Sequence, residues 1–132
     1  MPILVGLLLS LGVAVFARRT GLDRDRAFYP TVMIVIALLY VLFAVMSGSV
    51  RAVLIESIVM TGFVAAAVAG FKSSQWIVVA ALFAHGVMDV FHGQIIANSG
   101  VPAFWPAFCS AYDVGAAACL AWYSKGSVEV GK

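Results

Sequence analysis

Five uninterrupted apolar runs constrain this chain more than any motif does. They cover Pro2 to Ala17, roughly Phe28 to Met46, roughly Val50 to Gly70, Ser74 to Gly93 and Val101 to Tyr123. Each is rich in Val, Ile, Leu, Ala and Phe, and each is bounded by Gly, Ser, Pro or charge. In hydrocarbon there is no water to bond the backbone, so a run like this satisfies its own N–H and C=O groups as a helix. The alternating pattern of a membrane barrel is missing. At roughly 20 residues per span, a chain of 132 residues holds five helices with short loops and no further domain. The expected fold is all-α: a polytopic membrane protein forming one compact bundle of five transmembrane helices.

Composition agrees. Hydrophobic residues make up 64% of the chain and charged ones 11%, with a mean hydropathy of +1.07. A soluble domain is about half apolar and about a quarter charged. The net charge of +2 is too small to imply a polyanionic partner, so no nucleic acid is expected. The expected partners are the lipid bilayer itself and an apolar small molecule or lipid.

The placement of charge sets the orientation. Arg18, Arg19, Arg24 and Arg26 follow the first run, Lys72 follows the third, and Lys125 and Lys132 follow the fifth. The opposite side carries only Arg51. The positive-inside rule then predicts an N-terminus outside and a cytoplasmic C-terminus in a plasma membrane, the inner membrane of a bacterium. The first run has no basic segment before it and has Arg18-Arg19 after it, which suits an uncleaved anchor. Asp23 and Asp25 alternate with Arg24 and Arg26 and are expected to pair with them and their neighbours. Tyr29, Trp76, Trp105, Trp122 and Tyr123 fall near run ends, as an interfacial belt would. Small residues (Ala65, Ala66, Ala67 and Gly70; Gly115, Ala116, Ala117 and Ala118) favour close helix packing and leave room for a homo-oligomer.

Against this background five ionisable residues stand out. Glu56, His85, Asp89, His92 and Asp113 all lie inside predicted spans, where the one lysine or arginine is Arg51, at the second position of the third run. An ionisable side chain at that depth costs a few kcal/mol or more unless partnered, so it marks function by default. His85, Asp89 and His92 stand at i, i+4 and i+7 in the segment His-Gly-Val-Met-Asp-Val-Phe-His. At 100° per residue they fall within about 60° of one another on a helix. Gly86 and Gly93 flank this ladder and would admit a neighbouring backbone. Counting depth from each run's end puts Glu56 and Asp113 in the same outer half of the membrane. Ser57, Thr61, Ser110 and Tyr112 are polar neighbours expected to support the group with hydrogen bonds. Cys109 and Cys119 are too far apart along one helix for a disulfide and read as buried, inert thiols.

Imidazole and carboxylate together suit a divalent transition metal, Zn or Fe before others. His85, Asp89 and His92 are the expected core ligands, with Glu56 and Asp113 as further ligands or, as the catalytic pair, one of them a general base. Such a site would activate water or oxygen against a lipid or other apolar substrate. Two alternatives use the same residues. One is a proton-coupled small-solute transporter or channel with an Asp/Glu/His relay. The other is a non-catalytic binder of an apolar ligand near Trp105 and Tyr112. Haem ligation by His85 and His92 is disfavoured, since both approach from one side of one helix.

Overall fold

The computed structural model describes residues 1–24 and 27–130, with side chains to residue 125. Asp25, Arg26, Lys132 and the Glu129 side chain lie outside the described residues, and so do the ion pairs expected of Asp25 and Arg26. Five α-helices follow one another: α1 (Pro2–Thr20), α2 (Phe28–Ser47), α3 (Val50–Lys72), α4 (Gln75–Ile95) and α5 (Trp105–Val130). The first four are long and apolar enough to cross a membrane. Among the described residues α5 does not join that set, despite its 26 residues. Pro106, Ser110, Tyr112, Asp113 and Gly115 dilute its apolar run. It also starts later than the run does. Val101 and Pro102 belong to the connection, where the Pro102 carbonyl accepts from the Trp105 N–H at 3.0 Å.

The helix ends follow local chemistry. Gly21 and Gly48 stop α1 and α2 with φ of 85° and 76°, a left-handed turn that costs a side chain dearly and glycine nothing. Ser49 and Ser74 start α3 and α4, their hydroxyl oxygens accepting from the N–H of Ala52 and Trp76. In the first loop Asp23 pairs with Arg18, one turn back in the chain, at 3.2 Å. The Arg18 guanidinium also lies 3.8 Å from the centre of the Tyr123 ring.

α2 packs on α3, α3 on α4, α4 on α5, and α5 back on α1, while α2 also touches α4. The first helix is therefore held by the last. That seam is built from small residues. A Cβ at Gly6 would run into the Phe108 carbonyl of α5, and one at Gly115 into the Ser10 side chain of α1. Ala67 and Gly70 of α3 are buried too, with Gly70 facing Val78 of α4. The small residues at these positions thus serve packing within one chain.

Met33, Ala37, Tyr40, Met60 and Leu82 form the middle of the core. The distribution of polarity is inverted relative to a soluble protein. Leu4, Leu8, Phe16, Leu38, Leu42, Ile58, Phe83 and Val90 are exposed, whereas Glu56, His85, Asp89, His92 and Asp113 are buried. An apolar exterior around a polar centre is unstable in water and stable in a lipid solvent.

Candidate metal centre

α4 is the axis of the site. Its helical repeat turns His85, Asp89 and His92 inward on one face, all three almost fully buried. The close approach this needs is provided at Gly86, where an added Cβ would sit about 3.1–3.3 Å from Val114, Asp113 and Ser110 of α5. The Ser110 hydroxyl donates to the Gly86 carbonyl at 2.8 Å and pins the two helices there. Gly93 meets no such neighbour.

The five expected residues fall into two adjoining groups. In the first, His85 Nδ1 lies 2.6 Å from Asp113 Oδ2 and 3.4 Å from Asp89 Oδ2. Cys109 joins it, with Sγ 3.7 Å from Asp113 Oδ2. One ligand atom from each of His85, Asp89, Cys109 and Asp113 lies within 4.8 Å of all the others, and all four residues are buried. In the second group His92 Nε2 sits 2.9 Å from both oxygens of Glu56. Asn98, from the connection between α4 and α5, donates to Glu56 Oε2 at 2.9 Å and to the Tyr40 carbonyl at 3.3 Å.

Tyr40 of α2 joins the groups. Its hydroxyl donates to Asp89 Oδ1 at 2.6 Å. Its ring stacks on His92 at 4.1 Å between centroids and 21° between planes. Phe63 of α3 packs against His85, edge to face at 4.9 Å. The supporting hydrogen bonds therefore come from Tyr40 and Asn98. Of the supports expected from sequence, Ser110 bonds backbone and Thr61 bonds the Ser57 carbonyl on its own helix.

Two features suit the first group to a cation. Asp89 Oδ2 is buried without a hydrogen-bond partner, while its other oxygen is held by Tyr40. Two carboxylates also lie buried with one imidazole and a thiol, an arrangement that needs protons or a positive ion. A tetrahedral ion with N and O ligands at about 2.0–2.1 Å places those atoms about 3.3 Å apart. The His85–Asp89 separation already matches, and the His85–Asp113 contact must open by about 0.7 Å. A sulfur ligand at about 2.3 Å likewise fits the Cys109–Asp113 spacing of 3.7 Å. The buried group could therefore hold a metal ion.

Sequence reasoning left Cys109 among the inert thiols and gave Tyr40 and Asn98 no role. Cys109 had a readable signal. It precedes Asp113 by four residues, the same spacing that links His85 to Asp89.

Two cavities flank the site. One of about 310 Å³ lies at the α4–α5 connection, with His92, Asn98 and Pro106 in its wall. The other, of about 500 Å³, is apolar and lies between α1, α2 and α5, with Trp105, Cys109 and Tyr112 in its wall. Comparison with known proteins finds no matching family, no matching curated protein and no matching solved structure.

Proposed function

We propose that this chain is an integral protein of a bacterial plasma membrane that holds one divalent transition metal, zinc or iron, among His85, Asp89, Cys109 and Asp113. All five helices span in this reading, α5 included, with the N-terminus outside and the C-terminus in the cytoplasm. The observation that carries the metal is Asp89 Oδ2, buried in a four-donor cluster with no hydrogen bond and only a 3.4 Å contact to His85 Nδ1. When bound, such an ion lowers the pKa of its water and polarises carbonyl oxygens. The substrate class that suits these surroundings is a lipid or another apolar molecule. Tyr40 orients Asp89, as a carboxylate ligand's partner does. Glu56, paired with His92 and held by Asn98, is a proton acceptor set back from the ion. His92 and Glu56 thus move from expected ligands to a supporting pair.

A second reading has a specific observation behind it. Polar contacts join Asp113, His85, Asp89 and Tyr40, and hydrogen bonds join His92, Glu56 and Asn98 beside the smaller cavity, with the Tyr40–His92 ring stack between the two sets. Buried Asp, Glu and His side chains of this kind serve proton-coupled carriers, which would here need a water or a side-chain movement to bridge the stack. Elemental analysis of untagged protein, purified without chelator, decides between the two. About one Zn or Fe per chain, lost in His85→Ala and Asp113→Asn but kept in His92→Asn, is the expected result. Metal-free protein that carries pH-dependent flux in liposomes would replace the enzyme with the carrier.

A further inference from the structure

The corner where α1, the first loop and α5 meet carries charge that the metal reading leaves unused. Arg18 and Arg19 close α1, Arg24 follows in the loop, and Lys125 stands two residues past Tyr123 on α5. Arg18 is already engaged, over the Tyr123 ring and against Asp23. Its contact with Tyr123 sets the end of α1 beside this part of α5, so Lys125 belongs to the same corner. The Asp23 side chain is only 2% exposed, which turns its negative charge inward. Arg24 folds back on α1, with Nε 2.9 Å from where a Gly21 Cβ would begin. Arg19, Arg24 and Lys125 are exposed. Among the described residues none of the three is paired with a carboxylate.

The apolar surface beside these charges gives their depth. Leu4, Leu8, Leu11 and Val15 are all exposed, and with Arg19 they stand at i, i+4, i+7, i+11 and i+15. At 100° per residue they form one stripe along α1, apolar until it ends in a guanidinium. On α5, Trp122 is 77% exposed about one turn before Lys125. An indole at such a step is what the head-group layer of a bilayer selects. From Leu4 to Val15 is eleven helical steps, about 16 Å, roughly half the thickness of the hydrocarbon core. One leaflet's tail has that reach. Hydrocarbon alone selects nothing, because lipid tails are as apolar as the stripe. The three unpaired cations make the choice. At head-group depth they fit a phosphate, and each adds about fivefold to binding at an anionic surface.

We propose that Arg19, Arg24 and Lys125 bind the phosphate head group of an anionic phospholipid, one tail of which lies along the Leu4–Val15 stripe of α1. The site rests on the apolar helices lying in a bilayer and is independent of any bound metal.

Tryptophan quenching by brominated lipids tests it. Trp76→Phe with Trp105→Phe leaves Trp122 as the one tryptophan of the chain. The protein is reconstituted into vesicles of phosphatidylcholine and phosphatidylglycerol, with bromine on the tails of one lipid or the other. The two quenching curves give the ratio of binding constants beside Trp122. A ratio of about five or more in favour of phosphatidylglycerol is expected. Arg19→Gln, Arg24→Gln and Lys125→Gln should each lower it, and the triple variant should bring it to about one. Lys72→Gln should leave it unchanged, because α3 does not pack on α1. Native mass spectrometry of phosphatidylglycerol retained by protein with all three tryptophans, with and without the triple change, gives the same reading should the phenylalanine background misfold. A ratio of one in the parent overturns the proposal, as a second copy seated on the stripe would produce by excluding both lipids alike. An equal fall in Lys72→Gln reduces the effect to a diffuse surface potential and overturns the site. Loss of the preference on adding soluble glycerol phosphate assigns the corner to free anions and overturns the lipid.

Discussion

Tyr40 and Asp89 lie 49 positions apart in the chain and meet through a 2.6 Å hydrogen bond between hydroxyl and carboxylate. The bond spans from α2 to α4 and turns the other Asp89 oxygen toward His85, 3.4 Å from Nδ1 and without a hydrogen bond. Removing only the hydroxyl therefore probes how Asp89 is aimed. Tyr40→Phe keeps the ring stack on His92 and should keep the fold, at a cost of about 1–3 kcal/mol for the orphaned carboxylate oxygen. Metal affinity should fall about 10- to 100-fold, as it does when a ligand's hydrogen-bond partner is removed. Thermal unfolding in detergent and a metal titration measure the two effects separately. Unchanged affinity would remove Tyr40 from the site.

The two cysteines should behave differently. Cys109 is buried against Asp113, whereas Cys119 is only half-buried and stands apart from the cluster. In protein reconstituted with cobalt, a thiolate-to-metal absorption band is expected. It should vanish in Cys109→Ser and persist in Cys119→Ser. A band lost in neither variant, or absent from the start, would leave the ion to nitrogen and oxygen donors.

The His92–Glu56 pair should couple energetically without controlling the metal. A double-mutant cycle on His92→Asn and Glu56→Gln should give an interaction of about 0.5–3 kcal/mol, the range for contacting polar residues. Each single variant should retain bound metal. Loss of metal from either would merge the two groups into one site.

α1 offers an internal control for packing. Gly6 is buried against the Phe108 carbonyl, while Gly12 has nothing within 4 Å of an added Cβ. Gly6→Ala should cost about 1–3 kcal/mol through forced separation of α1 from α5. Gly12→Ala should be neutral or stabilising by up to about 1 kcal/mol, since alanine loses less entropy than glycine in a helix. Unfolding monitored by circular dichroism distinguishes them, and equal effects would place α1 elsewhere.

How much of this was legible in the sequence follows from the reach of each argument. Helical periodicity is local, so the inward face of His85, Asp89 and His92 was readable without knowing any neighbour. The same period could have tied Cys109 to Asp113. Tyr40 was not readable, because nothing in α2 says that α4 lies beside it. Asn98 sits in an irregular connection, where no period exists to aim a side chain. The division of the five ionisable residues also depends on depth and rotation at Ångström scale. Counting from run ends resolves about a helical turn, which put Glu56 near the others but not beside His92 alone. The fifth run shows the complementary limit. Its helix was expected and is present, yet the polar residues that bring α5 into the site also lower its apolarity.

The seam between the first and last helices has a consequence for biosynthesis. Of the five helices, α1 is made before the others and its partner α5 after them. At about 5–20 residues per second, α1 waits on the order of ten seconds for α5 to be made. Meanwhile α2, α3 and α4 are already able to pair in sequence order. Until α5 arrives, Gly6 and Ser10 lack their α5 neighbours, and the aspartate and thiol that α5 carries are missing from the cluster. Completion of the four-donor cluster and docking of the first helix thus both wait for α5, a single closing event.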